Sequence, residues 1–307
     1  MTSDPAPSTQ QSPVKRIVRA AVGRQPIGLL FGAPYALFIA ALFAYPLGLA
    51  VWMSFHHYFF TAPGVSVPRP FVGLDNYRAV LGDPAVRQAF LNVAIFLIIN
   101  VPLTVALSLL LATALNAAIP FRTFFRISYY VPYVTASVAV VGVWLFLFSS
   151  GGLVNHALGS LAPSPSWLIN ERWAMPLIAV FVTWKQLGFF ILLYLAALQN
   201  VPKELYEAAS VDGASWWRSF RAVTVPGVRT ATTLVTILAI ITGANLFSEP
   251  YLLTGGGGPN GKSTSPVLLM VQRGIDQNHP DVASAIGVIL VVGVLLIAGV
   301  QRLLERD

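Results

Sequence analysis

A lysine in the middle of a long apolar run is the first residue of this sequence that could do chemistry. Lys185 falls within the run from Trp173 to Leu198, and an isolated charge near a bilayer centre costs about 2.5–3.5 kcal/mol on insertion scales. It must therefore face a bundle interior, a partner subunit or water. Two uses stay open: Lys185 binds a substrate hydroxyl or an anion, or it pairs with a partner's carboxylate or snorkels. Glu249, beside Pro250 near the end of another run, is less costly and reads as a rim or gate residue. Around these two stand Gln186, Gly188, Phe189 and Phe190 on the first run and Thr242, Gly243, Asn245 and Phe247 on the second. Planar hydrogen-bonding groups beside aromatic faces suit a ligand that offers both polar edges and apolar faces. The same residue types serve equally well as ordinary helix-packing aromatics and small residues.

Other chemical signals fail on context. The stretch from Gly256 to Ser263 satisfies the phosphate-loop spacing GxxxxGK[ST]. A working phosphate loop follows a strand and opens a helix whose amides cradle phosphate; here an apolar run precedes and Pro266 follows. His56-His57 lacks the i, i+4 spacing for joint metal binding on a helix, and with Tyr58, Phe59 and Phe60 it reads as an interfacial anchor. No Ser/His/Asp set, carboxylate pair or Asp-rich metal motif occurs in the apolar runs. There is no cysteine, hence no disulfide framework, thiolate nucleophile or Cys-ligated metal. The expectation is a chain that is not an enzyme and binds no cofactor or metal itself.

The elements that must position these residues follow from composition. Of 307 residues 56% are hydrophobic and 10% charged, against about a quarter charged in a soluble domain. No Asp, Glu, Lys or Arg lies between Arg24 and Arg69, Arg87 and Arg122, or Arg126 and Glu171. Six runs reach or approach the ~20 residues that cross a hydrocarbon core: 28–53, 89–115, 128–148, 173–198, 232–253 and 282–300. Pro34, Pro46, Pro102, Pro132, Pro176 and Pro250 lie in or near them and predict kinks that a membrane bundle tolerates. The expected fold is an all-α polytopic membrane bundle of six transmembrane helices.

Basic residues set the orientation. The N-terminal tail, the 116–127 and 199–231 loops and the C-terminal end hold twelve Lys and Arg, whereas the opposite loops hold six. Both termini are therefore expected in the cytoplasm, and residues 256–263 outside. The domain reading is a basic, largely disordered tail over 1–27, a transmembrane domain over 28–303 and a short cytoplasmic end over 304–307. The basic residues sit at run ends rather than in a stripe, which speaks against nucleic acid and for membrane lipid as the surrounding partner.

Between the fourth and fifth runs, residues 201–226 form the longest charged stretch outside the tail. Pro202 suits a first helical position, Glu204 the first turn and Gly213 a left-handed terminator, so 203–212 reads as a short helix. Leu205, Ala208, Ala209 and Asp212 share one face of it, and the alanines allow another backbone to approach closely. A second helix starts near Ser215 and is expected to stop at Pro226. Pattern alone leaves open an amphipathic surface element that merely anchors the loop.

Glu207-Ala208-Ala209, Asp212-Gly213-Ala214, Phe220 and Pro226 resemble the EAA loop of binding-protein-dependent ABC importer permeases. Phe71-Val-Gly-Leu-Asp-Asn-Tyr77 resembles the FVGLxNY segment of the carbohydrate-type group, which includes the maltose and glycerol-phosphate permeases, and Leu253-Thr254 with Gly257-Gly258-Pro259 resembles its LTxGGP segment. The pattern is departed from at Arg229-Thr230, where many members carry a further proline. The resemblance spans nearly everything from Leu29 onward. It implies a type I ABC importer permease-like subunit that pairs with a second permease, two ATP-binding cassette subunits and an external solute-binding protein, ATP and Mg being held by the partner ATPase chains. On it, Glu207, Ala208, Ala209 and Gly213 are the contacts to the ATPase subunit, with Asp212 supporting the turn. It also implies a substrate site midway across the membrane near Gly188 and Phe247. The implied cargo is a sugar or sugar-like solute. Two alternatives are an ABC permease for a phosphorylated polyol such as glycerol 3-phosphate, with Lys185 meeting the anion, and an ion-coupled secondary transporter using Lys185 or Glu249 as the switch.

Overall fold

Prolines and short polar side chains decide where the helices of this chain bend, start and stop. The computed structural model describes residues 26–117 and 120–304; most of the tail assigned to 1–27, and residues 305–307 of the C-terminal end, lie outside the described residues. Two units divide at Trp52 and Met53. In the first, helix α1 (Pro26–Ile39) runs through a π turn at Ala40–Ala44 into α2 (Tyr45–Ser54). The Tyr45 N–H donates to the Ala40 carbonyl five residues back, immediately before Pro46. A proline ring crowds the carbonyl four residues earlier and offers it no N–H, and a widened turn accommodates both defects.

The second unit begins by fastening the residues after α2 to the FVGLDNY segment. Asn76 Nδ2 donates to the carbonyls of Ser54 and His56, both at 3.0 Å, satisfying acceptors that a helix end leaves open. The Tyr77 hydroxyl lies 2.7 Å from Ser54 Oγ. Helix α3 (Asp75–Gly82) leads to Asp83, which caps α4 (Pro84–Asn116) by accepting the Ala85 N–H at 2.8 Å, with proline at the first position. The cap places the start of α4 five residues ahead of the expected Ala89, because Arg87 is carried inside the helix.

The expected third span is two helices, α5 (Arg122–Val134) and α6 (Ser137–Phe148). They are separated by extended backbone at Thr135 and by Ala136, and the break comes three residues after Pro132. Helix α7 (Leu153–Leu158) and a short 3-10 turn at Trp167–Ile169 lead into α8 (Ala174–Leu198), which is unbroken. The loop after it holds α9 (Lys203–Val211), α10 (Trp216–Ser219), a π turn at Phe220–Thr224 and α11 (Val225–Gly227). Contrary to expectation, Pro226 does not end this helix. The Val225 N–H reaches back to Phe220, the same remedy as before Pro46, and the chain turns only at Val228. There α12 (Arg229–Ala244) departs at 73° from the 216–227 helix. The expected fifth span is likewise discontinuous: α12 ends at Asn245, and α13 (Ser248–Leu253) starts after irregular backbone at Leu246 and Phe247. Helices α14 (Pro266–Val271) and α15 (Pro280–Leu304) complete the order.

Among the described residues five helices are long and apolar enough to cross a membrane, and six if the bent pair at Val228 counts as one span. The described chain is all-α, its strand pairing limited to the isolated bridge between His56 and Phe71. Helices α4 and α8 make the principal packing pair. One apolar cluster gathers Leu109, Phe190, Tyr194, Val235 and Ala239 toward the α9 end of α8, and a second gathers Phe96, Val141, Ile178, Phe181 and Leu253 toward its other end. Within lipid such clusters hold by close packing rather than by exclusion of water. A smaller third cluster, with Val80, Ala89, Leu269 and Ile286, seats α3, α14 and α15 on the start of α4.

Candidate functional site

The two apolar clusters meet at a polar layer, and Lys185 lies in it. On α8 the buried residues Phe181 and Val182 belong to one cluster and Leu187 and Phe190 to the other, with Thr183 and Lys185 between. Asn100 Nδ2 on α4 donates to Thr183 Oγ1 at 2.8 Å, both residues being buried. Lys185 Nζ donates to Ser137 Oγ on α6 at 2.5 Å and to Glu249 Oε1 on α13 at 3.4 Å. The side chains of Lys185 and Glu249 are only 11% and 14% exposed, so each charge is neutralised where an unpaired one would be costly. Lys185 thus has partners within its own chain, and Glu249 is a counter-ion in the layer. Ser137, the first residue of α6 after the Thr135–Ala136 break, was not singled out from the sequence. A serine starting a helix is common, and nothing local marks it as a lysine partner.

The other candidates separate on burial and contact. Gln186 is half-buried beside Lys185. Phe189 stacks on Tyr133 of α5, ring centroids 5.1 Å apart, whereas Phe190 is 1% exposed and belongs to the core. Gly188 brings α8 close against α5: a Cβ there would overlap the Tyr129 carbonyl. Gly243 plays the same part against α4, where a Cβ would press on Leu97 and Phe96. Thr242 and Asn245 bond carbonyls of their own helix, Leu238 and Ile241, at 2.8 Å each. Phe247 stacks on Tyr251 at 5.5 Å. The carbonyl of Leu246, in the break, accepts from Ser265 Oγ, which also caps α14.

The loop after α8 is locally well specified. Asp212 caps α9, Gly213 takes φ +69°, the Gly213 N–H donates to Ser210 O at 3.0 Å and the Ala214 N–H to Ala209 O at 2.9 Å. That pair of bonds is a Schellman terminator, and its left-handed residue is where glycine costs least. Helix α9 begins at Lys203, leaving Pro202 as its cap, one residue from the expected place. Tyr206 faces inward: its hydroxyl lies 3.1 Å from Thr224 Oγ1, and its ring packs on the apolar core. Glu207, Ala208, Asp212 and Gly213 are exposed and Ala209 half-buried. Leu205 and Val211 are also exposed, Val211 at 88%. Trp216 and Trp217 both stack against Phe220.

The Gly-rich stretch does not have the strand before it that a phosphate loop needs. It follows helix α13, its chain folds on itself through Ser263 N–H to Gly257 O at 2.9 Å, and Asn92 of α4 holds the carbonyls of Gly261 and Thr264. Lys262 Nζ donates to Gln88 Oε1 at 3.1 Å. Gly257, at φ +118°, packs so tightly on Thr264 that a Cβ would overlap its hydroxyl. His57 is likewise structural: its Nδ1 lies 3.0 Å from Asp281 Oδ2, and the Tyr58 N–H donates to the same oxygen at 3.1 Å. No group of three or more metal-ligating side chains occurs among the described residues.

Residues 104–307, from within α4 through the 203–227 loop to the end, match the family model described as binding-protein-dependent transport system inner membrane component. The arabinooligosaccharides transport system permease protein AraP of Bacillus subtilis (strain 168) is 34% identical over 274 residues, covering 88% of this chain and 85% of that one. The lactose transport system permease protein LacF of Rhizobium radiobacter is 32% identical over 286 residues, covering 91% and 94%. Among solved structures, a chain of a bacterial ABC transporter involved in import of the acidic polysaccharide alginate superposes with a TM-score of 0.76 at 21% identity, covering 94% of this chain and 98% of that one. The same kind of transporter has been solved in complex with an alginate pentasaccharide-bound periplasmic protein. With the matched region spanning two thirds of its length and carrying the exposed Glu207 and Ala208 of α9, this chain belongs to the family of binding-protein-dependent transport system inner membrane components.

Proposed function

We propose that this chain is the permease subunit of an ATP-driven importer for a sugar or sugar-like solute, and that α9 is its contact with a separate ATPase subunit. The observation that carries the proposal is the 203–214 segment. Its inner face is anchored by Tyr206 to Thr224, while Glu207, Ala208, Asp212 and Gly213 stand exposed on a rigidly terminated helix. A small-residue surface on a stiff, short helix suits docking into another protein's groove, and the anchor passes a push on it into the bundle. The similarity to AraP and LacF supports a carbohydrate cargo. The Lys185–Glu249 pair supports a neutral one, because the lysine already has its counter-charge.

In this reading the N-terminal tail of 1–27, α9 and the C-terminal end face the cytoplasm, as the basic residues direct. The chain pairs with a second permease, two ATP-binding cassette subunits and an external solute-binding protein. ATP and Mg are held by the ATPase chains, whose closure rocks the helix bundle between two access states. Gln186, Gly188, Phe189, Thr242, Asn245 and Phe247 lie along the cargo's route. The test is uptake in vesicles carrying the complete complex. Transport should survive collapse of the proton gradient and vanish when the ATPase subunit is inactivated; the opposite result identifies an ion-coupled carrier. Glu207→Lys should leave the subunit inserted and uncouple transport from ATP hydrolysis, and wild-type uptake in that variant would refute the docking role.

A further inference from the structure

Two of the four helical columns packed on one another around Lys185 are interrupted at its level, and this has a mechanical consequence. The α5–α6 column breaks at Thr135–Ala136 and the α12–α13 column at Asn245–Phe247. Extended or irregular backbone transmits force poorly compared with continuous helix. A third column, α4, carries Pro102 at this depth, two residues from Asn100, so one turn lacks its hydrogen bond. Of these four columns, α8 alone passes through the layer with neither break nor proline. It runs from the Trp167 side of the bundle to the base of α9, roughly 37 Å at 1.5 Å per residue.

Beyond the breaks, α6 and α13 pack on that rod through the apolar cluster of Val141, Leu253, Ile178 and Phe181, and Lys185 adds a polar tie to each. A single ammonium bonds the first residue of α6, Ser137, and the first turn of α13, Glu249. On the other side of the layer, the inner pieces meet α8 through different contacts: α5 at Gly188 and Phe189, α12 through Tyr194 to Thr232 at 3.1 Å. The polar layer therefore separates two apolar clusters with no buried side chain in common, and at its level the lysine ties the start of α6 and of α13 to α8.

We infer that Lys185 is a positioning residue for transport: by bolting α6 and α13 to the continuous α8, it makes the far half of the bundle follow movements imposed at α9. The inference rests on the proposed role of α9 as the ATPase contact. It assigns Lys185 a place in force transmission rather than in cargo binding.

The chain contains no cysteine, so Ser150→Cys, exposed just past α6, provides a single thiol on it at the end remote from α9. The experiment uses the whole complex with both permeases and the ATPase subunits, and follows maleimide labelling of this chain with and without ATP. In the otherwise unaltered chain, ATP should change the labelling rate. In K185M/E249Q, which removes the bolt without stranding a buried charge, that ATP-dependent change should be lost and uptake with it, while ATP hydrolysis continues. The swapped pair K185E/E249K, which restores the link in reverse, should regain the change. An ATP-dependent change that persists in K185M/E249Q overturns the inference. No change even in the unaltered chain would instead overturn the role given to α9. A K185M/E249Q chain that also loses ATP hydrolysis would show a general structural role and would equally overturn the inference.

Discussion

Lys185 and Glu249 are 64 positions apart in the chain, yet Nζ and Oε1 lie 3.4 Å from each other in a layer where both side chains are almost wholly buried. Removing one partner of such a pair leaves an uncompensated charge and costs about 3–5 kcal/mol, whereas replacing both by neutral groups is often close to neutral. Lys185→Met alone is therefore expected to lower the thermal midpoint of the detergent-purified complex substantially, and K185M/E249Q much less. A double substitution that falls as far as the sum of the two singles would show that the pair carries no mutual energy.

Gly188 makes a complementary prediction about packing. Its missing side chain lets α8 lie against the Tyr129–Tyr130 backbone of α5, so even one added methyl forces the helices apart. Overpacking of this kind costs about 1–3 kcal/mol. Gly188→Ala should lower the thermal midpoint and the yield of assembled complex. Gly142→Ala on α6, where a Cβ meets nothing within 4 Å, should be neutral or slightly stabilising. Equal behaviour of the two variants would remove the close-approach argument.

These particulars show which parts of the structure were open to sequence reasoning. The short helix before Gly213 was readable because its signals are local: a proline before it, an acid in its first turn and a residue suited to positive φ after it. The membrane spans were readable because depth in a bilayer is written as composition. The breaks were not. Thr135 and Ala136 are unremarkable residues in an apolar stretch, and Pro132, the visible breaker, is carried inside α5. Pro226 reads as a stop because a π turn that absorbs it leaves no local mark. Glu249 was read as a rim residue because its distance along the chain says nothing of its pairing with Lys185. Ser137 and Asn100 escaped notice for the same reason, their partners being fixed by tertiary packing alone.

The terminator of α9 yields a prediction that separates loop geometry from docking chemistry. Gly213 adopts φ +69° with no atom within 4 Å of where its Cβ would be, so a side chain is strained by backbone alone. A non-glycine left-handed residue costs roughly 1–2 kcal/mol. Gly213→Val should leave insertion and yield intact but loosen the 203–214 segment, seen as faster limited proteolysis there, and should lower uptake per ATP hydrolysed. Gly213→Asn, whose side chain tolerates this conformation, should recover much of the loss. If both variants transported as the parent does, the geometry of this turn would have no part in coupling.

Asp83 closes two contacts at once, and two substitutions can part them. One carboxylate oxygen caps α4 through the Ala85 N–H at 2.8 Å, and the other receives Arg273 Nη2 at 2.6 Å, tying the turn after α14 to the start of the principal core helix. Asparagine can keep the cap while losing the charge pair, whereas alanine loses both. Loss of a cap costs about 0.5–2 kcal/mol. Truncating one partner of a half-buried, charge-assisted bond adds a similar amount, about 1.5–3 kcal/mol. Asp83→Ala should therefore lower the thermal midpoint roughly one and a half times as far as Asp83→Asn. In the Arg273→Gln background the Asp83→Asn substitution should cost little more. Were Asp83→Asn as damaging there as in the parent, the salt bridge would not be what Asp83 contributes beyond its cap.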